Sequence, residues 1–145
     1  MFLLDANIWM QLVRSRPHAA EVRAFLSQVP ANRLFISDFA VNAHALNMQR
    51  RNQLNEFPAF LDMSTIGTDI AIARLDIEGI RRVVEIVADH KLDYDDAYQY
   101  TVAEMLDLSI VSLDADFDRT PRGRLTPAAA LQRFKDEQLK PQQEA

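Results

Sequence analysis

Four short apolar runs constrain this chain more than any other feature of it. Phe2 to Leu4, Arg33 to Ser37, Asp69 to Leu75 and Leu108 to Ser112 are each too brief for a globular helix, and each is followed by a stretch with helical spacing or a helix start. A continuous apolar run suits a strand covered on both faces, and strands that alternate with helices pair in parallel. The pattern predicts an α/β fold, a three-layer α/β/α sandwich with a central, mostly parallel sheet. Ligand sites in such sheets lie beyond the carboxyl ends of the strands.

The intervening stretches read as helices. Ile8 to Val13 and His18 to Val29 form two short helices, or one broken at Arg16-Pro17, with Val22, Phe25, Leu26 and Val29 on one face. A helix is expected from Asp38 to about Arg51, entered through the capping pair Ser37-Asp38, and a further helical segment from Gln53 to Met63, bent by Pro58. Asp69 to Leu75 is expected as a third buried strand. Asp76 then caps a helix carrying Ile77, Ile80, Val83, Val84 and Val87, and Leu92 to Asp107 forms the next. Asp118 to Leu125 is a polar, arginine-rich loop, and Thr126-Pro127 starts the last helix, with Thr as cap and Pro in the first turn. At 145 residues the expectation is one domain, residues 1–138, followed by a frayed tail, 139–145.

Composition removes several chemistries. There is no cysteine, so a disulfide framework, a thiolate metal site and a cysteine nucleophile are all excluded. With 16 basic against 21 acidic side chains and a formal charge of -5, the chain is not coated in positive charge for general nucleic-acid binding, although a local basic patch remains compatible. The opening MFLLDANIWM has no basic flank and meets an acid at position five, which predicts no secretory signal. No apolar run is long enough to span a bilayer. A cytoplasmic protein with no membrane partner is the expectation.

Acids gather where a ligand site is expected. Asp5 closes the first apolar run, Asp96 opens the helix before the last run, and Asp114 and Asp116 follow that run. Crowded carboxylates repel one another, and hard divalent cations such as Mg²⁺ or Mn²⁺ prefer their oxygens. Such cations activate water and stabilise the charge that develops in phosphodiester cleavage. Taken singly, Asp5 is as ordinary as any helix cap, and Asp95 complements a helix dipole. Asn7 either orders Asp5, contacts a phosphate or bonds nearby backbone, and Ser112 either holds a carboxylate or water or is a plain strand-end hydroxyl. Arg119, Arg122 and Arg124 either hold an RNA backbone or form a solvated loop. His18, His44 and His90 have no zinc-like spacing.

The two motifs LLDANIW and DDAYQYTVAEMLDLSIVSLDADF resemble those of the PIN domain family, small metal-dependent ribonucleases that include VapC-like toxins of toxin–antitoxin pairs. Ser112, Asp114, Asp116 and Phe117 match the family's Thr-or-Ser, x, Asp, x, Asp, Phe pattern, and the likeness runs from Phe2 to about Leu131. The resemblance implies an Mg²⁺- or Mn²⁺-dependent endoribonuclease with Asp5, Asp96 and Asp114 as metal ligands and Asp116 assisting. Asn7, Ser112 and Arg119 are the substrate-side candidates. An RNA substrate, a small antitoxin that blocks the site and a homodimer are implied with them.

One departure stands out. The family usually carries a glutamate in the helix after the second strand, whereas here that helix reads SDFAVNAHALNM, with Asp38 in its first turn and Asn42 and His44 as the only other polar candidates near the expected place. This supports an alternative of a different class, a PIN-like module with a degraded metal site that binds RNA or a protein without cutting. A phosphatase or receiver domain also places acids at strand ends, but Asn7 stands where the phosphatase needs an acid and no strand-end lysine serves the receiver.

Overall fold

Each apolar run becomes a strand. The computed structural model describes residues 1–13, 16–65 and 68–140, in the order β1 (Phe2–Leu4), α1 (Ala6–Val13), α2 (Ala19–Gln28), β2 (Leu34–Ser37), α3 (Asp38–Arg50), α4 (Phe57–Ser64), β3 (Ala71–Ala73), α5 (Ile77–His90), α6 (Tyr94–Leu106), β4 (Ser109–Val111) and α7 (Pro127–Leu139). The strands form one parallel sheet in the order β3-β2-β1-β4. Helices cover both of its faces. Of the expected frayed tail, residues 141–145 lie outside the described residues, and Leu139 closes α7.

Strand alternation divides the core in two. In β1, Phe2 and Leu4 pack with Trp9, Val22, Phe25 and Phe60 from α1, α2 and α4, while Leu3 turns to Val83, Ile86, Ala97 and Val102 from α5 and α6. β2 and β4 follow suit, with Ile36 and Val111 on the first side and Phe35 and Ile110 on the second. β1 is thus covered on both faces, as its unbroken apolar run requires. α6 is enclosed more fully than its helical pattern suggests, since every residue from Asp96 to Ala103 is buried. Its polar side chains are carried inside with it.

Two sequence expectations need correction. β3 is at one edge of the sheet and not a buried strand, with Ala71 and Ile72 exposed and only Ala73 buried. Pro58 does not bend a helix, because it sits in the first turn of α4 after a short 3-10 turn at Leu54–Glu56. Proline's missing N–H is harmless there, since first-turn donors have no intrahelical partner. Among the described residues no helix is long and apolar enough to cross a membrane.

The strand-to-helix joints use the caps expected from sequence. Ser37 Oγ accepts from Ala40 N at 3.0 Å and Asp76 Oδ1 from Gly79 N at 2.8 Å, while Thr126 Oγ1 accepts from Ala129 N at 3.2 Å. Replacing Asp76 by Ala should cost about 1 kcal/mol and lower the melting midpoint by roughly 3 °C. An unchanged midpoint in a calorimetric scan would show that this cap does not support α5.

Candidate metal centre

The parallel pairing of β1 with β4 sets Leu4 against Val111, so Asp5 and Ser112 leave the sheet side by side. Asp5 N donates to Val111 O at 3.0 Å, which extends the ladder to the acid itself. The Ser112 hydroxyl donates to Asp5 Oδ2 at 2.7 Å and accepts from Asp114 N at 2.9 Å and Asn7 Nδ2 at 3.3 Å. One donor and two acceptor lone pairs are thereby all used. Asn7 Oδ1 also accepts from Leu113 N at 3.4 Å, so both ends of this amide are engaged within the fold. Together these bonds lock the end of β1 to the end of β4.

Beyond the strand ends the carboxylates converge. One oxygen each of Asp96, Asp114 and Asp116 lie within 4.8 Å of one another. Asp114 caps the 3-10 turn Ala115–Arg119, its Oδ1 accepting from Asp116 N at 2.9 Å, and this turn folds Asp116 back towards the helix that carries Asp96. Asp5 is not one of that group of three. It shares with Asp96 the wall of a cavity of about 50 Å³, completed by Ala6, Phe39, Ala40, Ala43, Asp95 and Gln99. Asp96 therefore faces both the trio and the cavity.

The charge gathered here is poorly compensated. Burial, followed by the charges of Asp95, Asp114, Asp5 and Asp116, pushes Asp96 up to about 7. Burial also pushes Asp5 up to about 6, with Asp114 adding to the rise, against the hydrogen bonds from Ser112 and the backbone of Ala6 and Asn7 that favour the charged form. Among the described residues, Asp5, Asp96 and Asp114 are in no salt bridge, and Asp116 is in one, its Oδ1 lying 3.6 Å from Arg119 Nη2. An all-oxygen set of several carboxylates, three of them in no salt bridge among the described residues, fits a hard divalent ion.

The other candidates fall into distinct places. Ser112 is completely buried, so the substrate contact expected of it does not fit, and its hydroxyl positions Asp5 instead. Arg119 is half exposed beside Asp116, with Nη2 also donating to Lys91 O at 3.2 Å. Arg122 binds Asp107 Oδ1 at 2.8 Å, and Arg124 binds Ser112 O at 3.1 Å and Asp118 at 3.2 Å, so both tie the loop to the body of the protein. Asp38 accepts from Tyr98 Oη and Phe39 N, both at 2.8 Å, and lies outside the group of acids. Asn42 is exposed and donates to Asp38 O, while His44 is buried against Phe60 with ring centroids 4.2 Å apart. None of the three takes the place of the absent glutamate.

Two members of the site were not singled out by sequence reasoning. Asp95, read as an acid that complements the helix dipole, is exposed but borders the cavity and adds its charge to Asp96. Gln99 lies one helical turn after Asp96 in the same wall. The only sequence signal for it was a polar residue in the middle of an otherwise apolar helical stretch.

Comparison with known proteins gives a consistent picture. A family model for the PIN domain matches residues 2–123. No curated protein sequence matches. Among solved structures, a toxin–antitoxin complex from Klebsiella pneumoniae is 22% identical with a TM-score of 0.67, covering 88% of this chain and 98% of that one. VapC20 of Mycobacterium tuberculosis, described as a sarcin-ricin loop cleaving toxin, is 14% identical with a TM-score of 0.70, covering 81% and 93%. FitAcB from Neisseria gonorrhoeae is 19% identical with a TM-score of 0.67, covering 88% and 98%.

The raised acids make a definite pH prediction. Asp5 and Asp96 hold a proton more tightly in the fold than in the unfolded chain, so their contribution to stability is fully present below about pH 4 and is lost as pH rises through about 6 and about 7. In chelator, the melting midpoint should fall between about pH 5 and about pH 8, less steeply in Asp96→Asn. Mn²⁺ should restore more stability at the upper pH, where protons no longer compete for the oxygens. Equal slopes for the two proteins would contradict this account of the site.

Proposed function

The chain belongs to the PIN domain family, and on that premise we propose that it is a metal-dependent endoribonuclease acting as the toxin of a toxin–antitoxin pair. The observation that carries the reading is the convergence of Asp96, Asp114 and Asp116 within 4.8 Å, with Asp5 alongside, beyond the carboxyl ends of β1 and β4. In this reading Asp5, Asp96 and Asp114 hold Mg²⁺ or Mn²⁺, with Asp116 assisting, and the ion supplies a Lewis acid and an activated water for phosphodiester hydrolysis.

The chain's own side chains prepare that chemistry. Ser112 fixes the Asp5 carboxylate through a 2.7 Å bond and holds the backbone of Asp114, so the acids from two strands keep one spacing. Asn7 holds Ser112 in turn, which makes it a positioning residue, and the second N–H of its amide remains available to a substrate phosphate. Arg119, half exposed at the rim beside Asp116, is the guanidinium best placed to meet an RNA phosphate next to the acids. No side chain acts as a covalent nucleophile in this scheme.

The proposed partners are RNA, a small antitoxin and a second copy of the chain, in the cytoplasm. Support for an antitoxin comes from the toxin–antitoxin complex among the structures of the same fold. Support for a homodimer comes from Ile77, Ile80 and Val84, which are exposed at one helical face of α5. Light scattering on the purified protein should read two chains, and a single chain would count against the dimer.

A second reading, a PIN-like module that binds RNA or protein without cutting, draws on α3, where Ala40 and Ala43 face the cavity and no carboxylate of that helix joins the acids. RNA incubated with the purified protein and Mn²⁺ separates the two. Cleavage should stop in chelator and fall by about a hundredfold or more in Asp96→Asn. Retained RNA binding with no cleavage in Mn²⁺, or cleavage that persists in Asp96→Asn, would remove the nuclease reading.

A further inference from the structure

Gln99 is the buried polar group of the acidic cavity that the fold does not satisfy. It is 4% exposed, it lines the cavity with Asp5 and Asp96, and its Oε1 has no hydrogen-bond partner. Buried polar groups without partners are rare in folded proteins, and Thr101 and Tyr98 on the same helix obey that rule. Thr101 Oγ1 donates to Ala97 O at 2.8 Å, and Tyr98 Oη donates to Asp38 at 2.8 Å while accepting from Leu75 N. Gln99 Oε1 is left as an acceptor without a donor, on a side chain that shares the cavity wall with the carboxyl groups of Asp5, Asp95 and Asp96, which are acceptors too in their charged form. Acceptors facing acceptors have no use for one another unless something positive lies between them.

The space suits such an occupant. About 50 Å³ exceeds the roughly 30 Å³ share of one liquid water, so the cavity has room for a cation with a water beside it. Its remaining walls, Ala6, Phe39, Ala40 and Ala43, offer no polar side chain. We propose that Gln99 is a neutral oxygen ligand in a divalent-cation subsite whose carboxylates come from Asp5 and Asp96. Side-chain carbonyl oxygens are among the ligands hard cations accept, and this one adds coordination without adding to the crowded negative charge. The inference rests on the metal-dependent reading above and gives it a ligand on α6 where α3 contributes none.

The test is Mn²⁺ titration calorimetry on wild type, Gln99→Met, Gln99→Glu and Asp96→Asn, with melting in chelator to confirm that each variant is folded. Met preserves shape and removes the oxygen, so affinity should drop about tenfold or more, while Glu retains an oxygen and should bind about as tightly as wild type or more tightly. Wild-type affinity in Gln99→Met overturns the inference and leaves metal binding standing, whereas no Mn²⁺ binding by wild type overturns both. A loss in Gln99→Glu as large as in Gln99→Met also overturns it, because that result assigns the amide N–H to holding a carboxylate. Should Gln99→Met fail to fold, Mg²⁺ titration of the wild type by NMR decides. The Gln99 side-chain amide resonances should shift with the same midpoint as the Asp96 backbone amide, and resonances unmoved at saturation reject the ligand.

Discussion

The hydroxyl of Ser112 joins the two strands on which the site depends. Fully buried, it gives its proton to Asp5 and receives hydrogen bonds from the Asp114 backbone and from Asn7. The β1–β4 ladder brings Asp5 and Ser112 together, and the hydroxyl then converts a shared sheet edge into a fixed relation between acids far apart in sequence. Without that link the carboxylates at the two strand ends would be free to move apart. With it, their repulsion is held within the folded structure.

That repulsion is the reason a cation belongs to the account. Asp96 stands between two sets of acceptors, the Asp114–Asp116 turn on one side and the Asp5–Gln99 cavity on the other. Burial and neighbouring charge favour its protonated form, as burial does for Asp5. A fold that collects acids this way is less stable than it needs to be at neutral pH, a familiar property of sites that hold charge for use. A divalent ion bound there would convert the same arrangement from a cost into a source of stability.

Much of the fold was legible because the sheet is parallel. Phe2 to Leu4 could be recognised as a strand since burial on both faces leaves no polar alternation, and the direction of each strand then placed Asp5 and Asp114 at the carboxyl edge. β3 misled for the same reason: Ile70 to Ala73 is as apolar as a central strand, yet it lies at an edge of the sheet with two of its three residues exposed, whereas β4 at the other edge is bridged by Leu125, and local pattern does not encode what covers an edge. Pro58 misled because a proline at a helix start and one inside a helix are distinguished only by where the helix begins. In the site, Asp96 and Asp114 were readable from motif and position, whereas the approach of Asp116 depends on the 3-10 turn after β4. Gln99 carried only a weak signal, a polar residue in a largely apolar stretch, because its burial depends on α6 being enclosed from Asp96 to Ala103.

The account stands on a divalent ion at Asp96, and anomalous diffraction from crystals soaked in Mn²⁺ tests it most directly. It predicts a peak at roughly coordination distance, about 2.2 Å, from a carboxylate oxygen of Asp96, with oxygens of Asp5 or Asp114 among the other ligands. Crystals that carry Mn²⁺ elsewhere while the acids beyond β1 and β4 show no peak would contradict it.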